Sequence, residues 1–213
     1  MSNALIQARL VFWDFDGVIK DSVAVKTEAF ARLFSRFGSD VADRVKDHHL
    51  ANGGMSRFEK MPVYLTWAGQ PVTEASIGDY CQQFSREVLQ CVVDAPWVPG
   101  VEQYLSVNRH QQEFVLVTAT PQGEIEEILQ ALDLQTCFSA IHGTPTRKVD
   151  AIRQTLSSSQ GLRASECLMV GDAMADLEAS RENDVPFLLR RHVDNQHVFH
   201  DYVGAFVKDF SGL

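Results

Sequence analysis

Asp14 and Asp16 stand two residues apart immediately after the apolar run Leu10 to Trp13. Asp172 follows a second apolar run, Cys167 to Val170, and Asp176 lies four residues further on. Thr118 closes a third run, Phe114 to Val117. In an open α/β sheet, ligands bind outside the carboxyl ends of the strands, so Asp14, Asp16, Thr118 and Asp172 are expected around one crevice. Three carboxylates gathered there repel one another and call for a cation, and an all-oxygen set suits Mg²⁺. Taken singly, each residue also has a plainer reading. Asp16-Gly17 can be a turn, Thr118 a helix cap, Lys148 a solvated lysine and Asp176 a surface helix residue.

The elements that must hold these residues follow from periodicity. The three apolar runs, with a fourth at Phe187 to Leu189, read as buried strands. Helical spacing separates them. Val101 to Val107 forms one stripe; Ile125, Ile128, Leu129 and Leu132 form another, with Thr120 as expected N-cap and Pro121 as first helical residue. Val149, Ile152 and Leu156 mark a helix after Lys148, and 173–181 a last one. Alternating strands and helices predict an α/β fold, a doubly wound parallel sheet.

Residues 21–95 break the alternation and read as helix after helix. Phe30, Leu33, Phe34 and Phe37 make a stripe stopped by Gly38; Ile77, Tyr80, Cys81, Phe84 and Val88 make another behind Thr73. Pro62 implies that the helix near Phe58 to Trp67 starts late or kinks. The expected division is a core of 1–20 and 96–213 with a helical insertion at 21–95. No structure is placed on Met1 to Ala4.

Composition bounds the rest. With 213 residues, 45% of them hydrophobic, the chain can build a sizeable core. A formal net charge of −9 without a Lys/Arg run argues against nucleic acid or an anionic membrane as main partner, and an anionic substrate would need local positive charge. Cys81, Cys91, Cys137 and Cys167 form no CxxC pair and are expected to be buried, reduced thiols. No secretory signal or membrane-spanning run stands out, and a cytoplasmic protein, monomeric or homodimeric, is expected.

Asp14-Phe15-Asp16-Gly17-Val18, Thr118, Lys148 and Gly171-Asp172-Ala173-Met174-Ala175-Asp176 resemble, in order, the four motifs of the haloacid dehalogenase-like superfamily, and the likeness spans essentially the whole chain. The helical insertion after the first motif is similar to the family's α-helical cap. The resemblance implies a Mg²⁺-dependent phosphatase. Asp14 would be the nucleophile that forms an aspartyl-phosphate, and Asp16 the general acid and then base. Asp14, the Asp16 carbonyl and Asp172 would hold the metal. Thr118 and the Ala119 N–H would bind phosphate at a helix N-terminus, Lys148 would offset charge, and Asp176 would orient Lys148 or a metal water. Asp16 favours phosphate monoester chemistry, because the family's dehalogenases lack this acid and its ATPases typically carry Thr there.

Gly53-Gly54-Met55-Ser56-Arg57-Phe58-Glu59 resembles the specificity loop of sugar-phosphate phosphatases and β-phosphoglucomutase-like proteins. Gly54, Ser56, Arg57 and Lys26 are therefore candidate substrate contacts from the cap. Arg57 would reach a distal anionic or hydroxyl group, while Ser56 and Glu59 also fit a capping box. His48 and His49 fit a helix end as well as a substrate contact, and Lys20 points either to substrate or to solvent. The implied substrate is a small organic phosphate, foremost a sugar phosphate. A phosphoglucomutase-like isomerase shares every core residue, and a phosphonate hydrolase would reuse the core with a cap lysine.

Overall fold

Strand β1 (Leu10–Trp13) is fully buried and lies at the centre of the molecule. In the computed structural model, which describes residues 3–213, it pairs in parallel with β2 (Glu113–Pro121) on one side and β4 (Cys167–Gly171) on the other. Met1 and Ser2, at the opening on which the sequence places no structure, lie outside the described residues; Asn3–Gln7 form a short helix, α1. With β3 (Ala140–Thr144), β5 (Phe187–Arg190) and β6 (Phe206–Val207) the sheet runs β3-β2-β1-β4-β5-β6, all parallel. This is the doubly wound arrangement expected. Its order reverses between β1 and β4, where a crevice opens at the carboxyl ends.

Period-two alternation sorts β1 onto two cores. Leu10 and Phe12 pack with Val149, Ile152 and Ala179 of helices α8 (Lys148–Ser158) and α9 (Met174–Glu182). Val11 and Trp13 face the opposite layer, with Leu105 of α6 (Val101–Asn108) and Ile125, Ile128 and Leu129 of α7 (Gln122–Ala131). Burying each such side chain contributes about 1.5–3 kcal/mol, so both faces must be covered. β3 has no strong sequence signal because four of its five residues are only half-buried at the sheet edge.

Between β1 and α6 the chain forms only helices: α2 (Val23–Phe34), α3 (Ser39–Ala51), α4 (Arg57–Trp67) and α5 (Glu74–Asp94). Phe30, Phe34, Tyr64, Tyr80 and Phe84 meet as stacked and edge-on rings that tie α2, α4 and α5 together. Pro62 neither delays nor ends α4, which starts five residues earlier. The Ser56/Glu59 capping box nucleates the helix, so a single lost backbone bond is tolerated. The chain enters and leaves this region side by side: the Asp21 N–H donates to the Pro96 carbonyl at 2.8 Å and the Val98 N–H to that of Ile19 at 3.0 Å. Lys20 points to neither substrate nor solvent. Its ammonium donates to the Val93 carbonyl at 2.9 Å and lies over the Trp97 ring, at the base of the helical segment.

All four cysteines are free, but Cys91 is exposed, because the outer side of α5 faces water. Among the described residues, no helix is long and apolar enough to cross a membrane.

Candidate active site

The crevice between β1 and β4 is a cavity of about 90 Å³. Asp14, Thr118 and Lys148 line it from the sheet side, and Lys26, His49 and Lys60 from the helices above. Asp14 follows the last residue of β1, and its N–H still donates to the Val170 carbonyl at 3.0 Å, which holds it in line with the strand. Lys148, first residue of α8, places its ammonium 2.9 Å from Asp14 Oδ1 and 2.5 Å from Asp176 Oδ1. Asp176 Oδ2 accepts the Ala173 N–H at 3.0 Å, so Asp176 both anchors its own helix start and aims the lysine.

Asp16 occupies a different set of partners. Ser22 donates to its Oδ1 at 2.6 Å, Thr120 to its Oδ2 at 3.2 Å, and the Lys26 ammonium pairs with Oδ2 while also donating to Thr120 Oγ1 at 2.9 Å. Thr120 is therefore not the helix cap expected of it. β2 runs on through Pro121, α7 starts at Gln122 without a side-chain cap, and the Thr120 hydroxyl is drawn to the Asp16–Lys26 pair. The same extension places Thr118 and Ala119 inside the end of a strand, beside an irregularity in the β2–β3 register, rather than at a helix N-terminus.

Burial dominates the electrostatics. It raises the Asp14 carboxyl to about 7, helped by the Asp176 charge and opposed by Lys148. It likewise raises Asp172 and Asp176, the former against the hydrogen bond from His192, the latter against Lys148. Burial also pushes Asp16 up, but the Lys26 charge and the hydrogen bonds from Lys26, Ser22 and Thr120 outweigh it and leave Asp16 below the usual range. For Lys148, burial is outweighed by Asp14 and Asp176, and its ammonium is held firmly. Four carboxylates thus share a buried site with three lysines, Lys26, Lys60 and Lys148, a surplus of negative charge that is greatest around Asp14, Asp172 and Asp176, which face Lys148 alone.

Asp14, Asp172 and Asp176 bring carboxylate oxygens within 4.8 Å of one another. Asp176 commits both oxygens, to Lys148 and to the Ala173 N–H, whereas Asp14 and Asp172 each commit one, to Lys148 and to His192, and keep the other for a ligand. Gly17, at φ +75°, lies so close that a Cβ there would sit 2.1 Å from Asp172 Oδ2; only glycine allows this approach. An all-oxygen, charge-surplus, buried donor set fits a hard divalent cation.

Sequence reasoning missed two side chains that position Asp172. His192 Nε2 is 2.8 Å from Asp172 Oδ2, and the Asn195 amide donates to the Asp172 carbonyl at 2.8 Å. His192 stands two residues beyond the carboxyl end of β5, where the strand-end rule could have flagged it. Ser22 carried no signal beyond closeness to Asp16.

Of the residues expected from the cap, Lys26, Gly54 and Arg57 line the cavity. Ser56 does not: its hydroxyl accepts the Phe58 N–H at the start of α4, and its own N–H is held by Glu59 at 3.1 Å. Gly54, at φ +76°, wedges against the core, where a Cβ would lie 2.9 Å from Ala175 Cβ. Arg57 is not free for a substrate group. Its guanidinium makes two bonds of 2.5 and 2.7 Å with Glu124 on α7, a third of 2.6 Å with Ser85, and stacks over Phe84. His48 pairs with Tyr64 at 3.2 Å, and only His49 of the two histidines reaches the cavity.

Residues 11–189 match the sequence profile of the family described as haloacid dehalogenase-like hydrolase. The chain belongs to this family. It is 25% identical over 192 residues to a 5'-nucleotidase from Pseudomonas aeruginosa, covering 87% of this chain and 83% of that one. It is also 25% identical over 174 residues to a phosphoglycolate phosphatase from Synechococcus elongatus, covering 81% and 78%. Among solved structures, CbbY from Rhodobacter sphaeroides in complex with xylulose-(1,5)bisphosphate superposes with a TM-score of 0.75 at 13% identity, over 97% of this chain and 96% of that one. That likeness speaks for the fold.

Proposed function

We propose that this member of the family is a Mg²⁺-dependent phosphatase that hydrolyses a small organic phosphate monoester, foremost a sugar phosphate, through an aspartyl-phosphate on Asp14. The observation that carries the reading is the division of labour between the two aspartates. Both line the cavity, but Asp14 is bonded to Lys148, whereas Asp16 is held by a separate set of partners, Ser22, Lys26 and Thr120. The phosphatase names of the relatives point the same way.

In the first step Asp14 attacks phosphorus, the bond to the ester oxygen breaks, and that oxygen takes a proton from Asp16. In the second, Asp16 accepts a proton from water as the water attacks the aspartyl-phosphate, releasing phosphate and restoring Asp14. Thr118 and the Ala119 N–H receive phosphate oxygens, and Lys148 offsets their charge. Asp14, the Asp16 carbonyl and Asp172 would hold Mg²⁺, which supplies further charge neutralisation at the phosphoryl group. Without substrate, Lys26 keeps Asp16 ionised. A phosphate dianion competes for that ammonium, and burial then favours the protonated acid needed for the first step.

Residues 21–95 act in this reading as a cap over the core of 1–20 and 96–213, with Arg57–Glu124 as a bolt between them. The test is leaving-group dependence. Asp16→Asn should slow release of phosphate from an alkyl phosphate by about 10²–10⁴-fold, and from an aryl phosphate far less, because a good leaving group needs little proton donation. Mg²⁺ should restore activity lost to a chelator. Equal slowing of both esters by Asp16→Asn would remove the general-acid assignment.

A further inference from the structure

The helices above the crevice bring three cationic side chains to the cavity, and two of them are neutralised. Lys26 pairs with Asp16, and Arg57 with Glu124. Lys60 is different. It is 2% exposed and lines the cavity, yet its partner is a neutral one, His49 Nδ1 at 3.0 Å. Among the described residues no carboxylate oxygen lies within 4.0 Å of its ammonium. The acids whose charge it feels are already spent: Asp16 on Lys26, Ser22 and Thr120, and Glu59 on the Ser56 N–H. An ammonium buried with no counter-ion is costly, and a methionine would fill the same space without that cost. The arrangement makes sense when an anion enters the cavity.

We propose that Lys60, assisted by His49, receives a second anionic group of the substrate, so that the substrate is a small phosphate monoester with a carboxylate or second phosphate at its far end. This rests on the phosphatase reading and narrows it. It moves recognition of the distal group from Arg57, which Glu124 occupies, to Lys60. When the ammonium donates to His49 Nδ1, the imidazole carries its own hydrogen on Nε2 and offers the anion a second donor. Burial and repulsion from Lys26 lower the Lys60 ammonium to about 7, and a bound anion would reverse that.

Two matched pairs separate the sources of the anion: 2-phosphoglycolate against ethyl phosphate, and propane-1,3-diol bisphosphate against propyl phosphate. The wild-type enzyme should favour the charged member of at least one pair by roughly 10- to 100-fold in kcat/KM, as expected for one charged hydrogen bond. The pair that shows the preference identifies carboxylate or phosphate. Lys60→Met should bring the ratio towards one, and Lys60→Arg should restore part of it; melting curves confirm that both variants fold. The same four compounds are titrated calorimetrically into Asp14→Asn protein with and without Lys60→Met. If no compound releases phosphate, the phosphatase reading falls, and the binding preference still decides the role of Lys60. Equal affinity for charged and neutral members, or a ratio unchanged by Lys60→Met in the folded variant, overturns the proposal.

Discussion

Replacing Glu124 with Gln tests whether the helical segment is bolted to the core or fused to it. Arg57 and Glu124 are nearly closed to solvent, with side chains 4% and 6% exposed, and share two bonds of 2.5 and 2.7 Å. If the segment stays shut in Glu124→Gln, the guanidinium loses its counter-charge and keeps Ser85, the Phe84 face and one bond to the glutamine amide oxygen, while the amide NH2 faces its other N–H. A buried charge stripped of its partner costs about 3–5 kcal/mol. In a chain of this length each kcal/mol shifts Tm by about 2–4 °C, so the midpoint would fall by about 6–20 °C. A hinged segment has a cheaper escape. It parts from α7, Arg57 returns to water, and the global loss is limited to the closing energy. The paired backbones at Asp21–Pro96 and Ile19–Val98 supply such a hinge, and Gly54 makes a contact with Ala175 that can separate without breaking a hydrogen bond. The expected outcome is therefore a Tm loss under about 6 °C, a larger radius of gyration by small-angle X-ray scattering, and a lower kcat/KM. A fall of the full size with an unchanged scattering profile would refute the hinge and make the ion pair part of one rigid core.

Two further outcomes are expected. Because burial and Asp176 raise the Asp14 carboxyl from 3.8 to about 7, the folded chain holds a proton that the unfolded chain has lost, and this group costs stability as pH rises through that window. Asp14→Asn should then raise the Tm of chelator-treated protein at pH 8 and do so much less at pH 5; an equal shift at both would remove the charge argument. His192→Ala, which frees the Asp172 carboxylate from its 2.8 Å partner, should weaken Mg²⁺ binding measured by calorimetry by about 10-fold, and unchanged affinity would show that His192 does not position this aspartate.

The carboxyl ends of the strands, where the candidate site lies, were legible in the sequence because local rules govern them. Asp14, Thr118 and Asp172 each close an apolar run, and a parallel sheet must present such positions on one edge. The helical segment was equally legible from its 3.6-residue stripes. β3 and β6 were not, because edge strands bury too little to leave a period-two pattern. The partnerships of the polar groups were beyond local reading. Thr120 looked like a cap until Lys26 and Asp16, 94 and 104 residues away in sequence, claimed its hydroxyl. Arg57 looked free until α7 brought Glu124 beside it, and nothing in the local sequence marks Lys60 as a buried lysine partnered by His49. Sequence spacing determines which residues end a strand or face a core, since those follow from the repeat of the element itself. Which charges are compensated and which are left waiting depends on contacts between distant segments, and only the tertiary structure decides that.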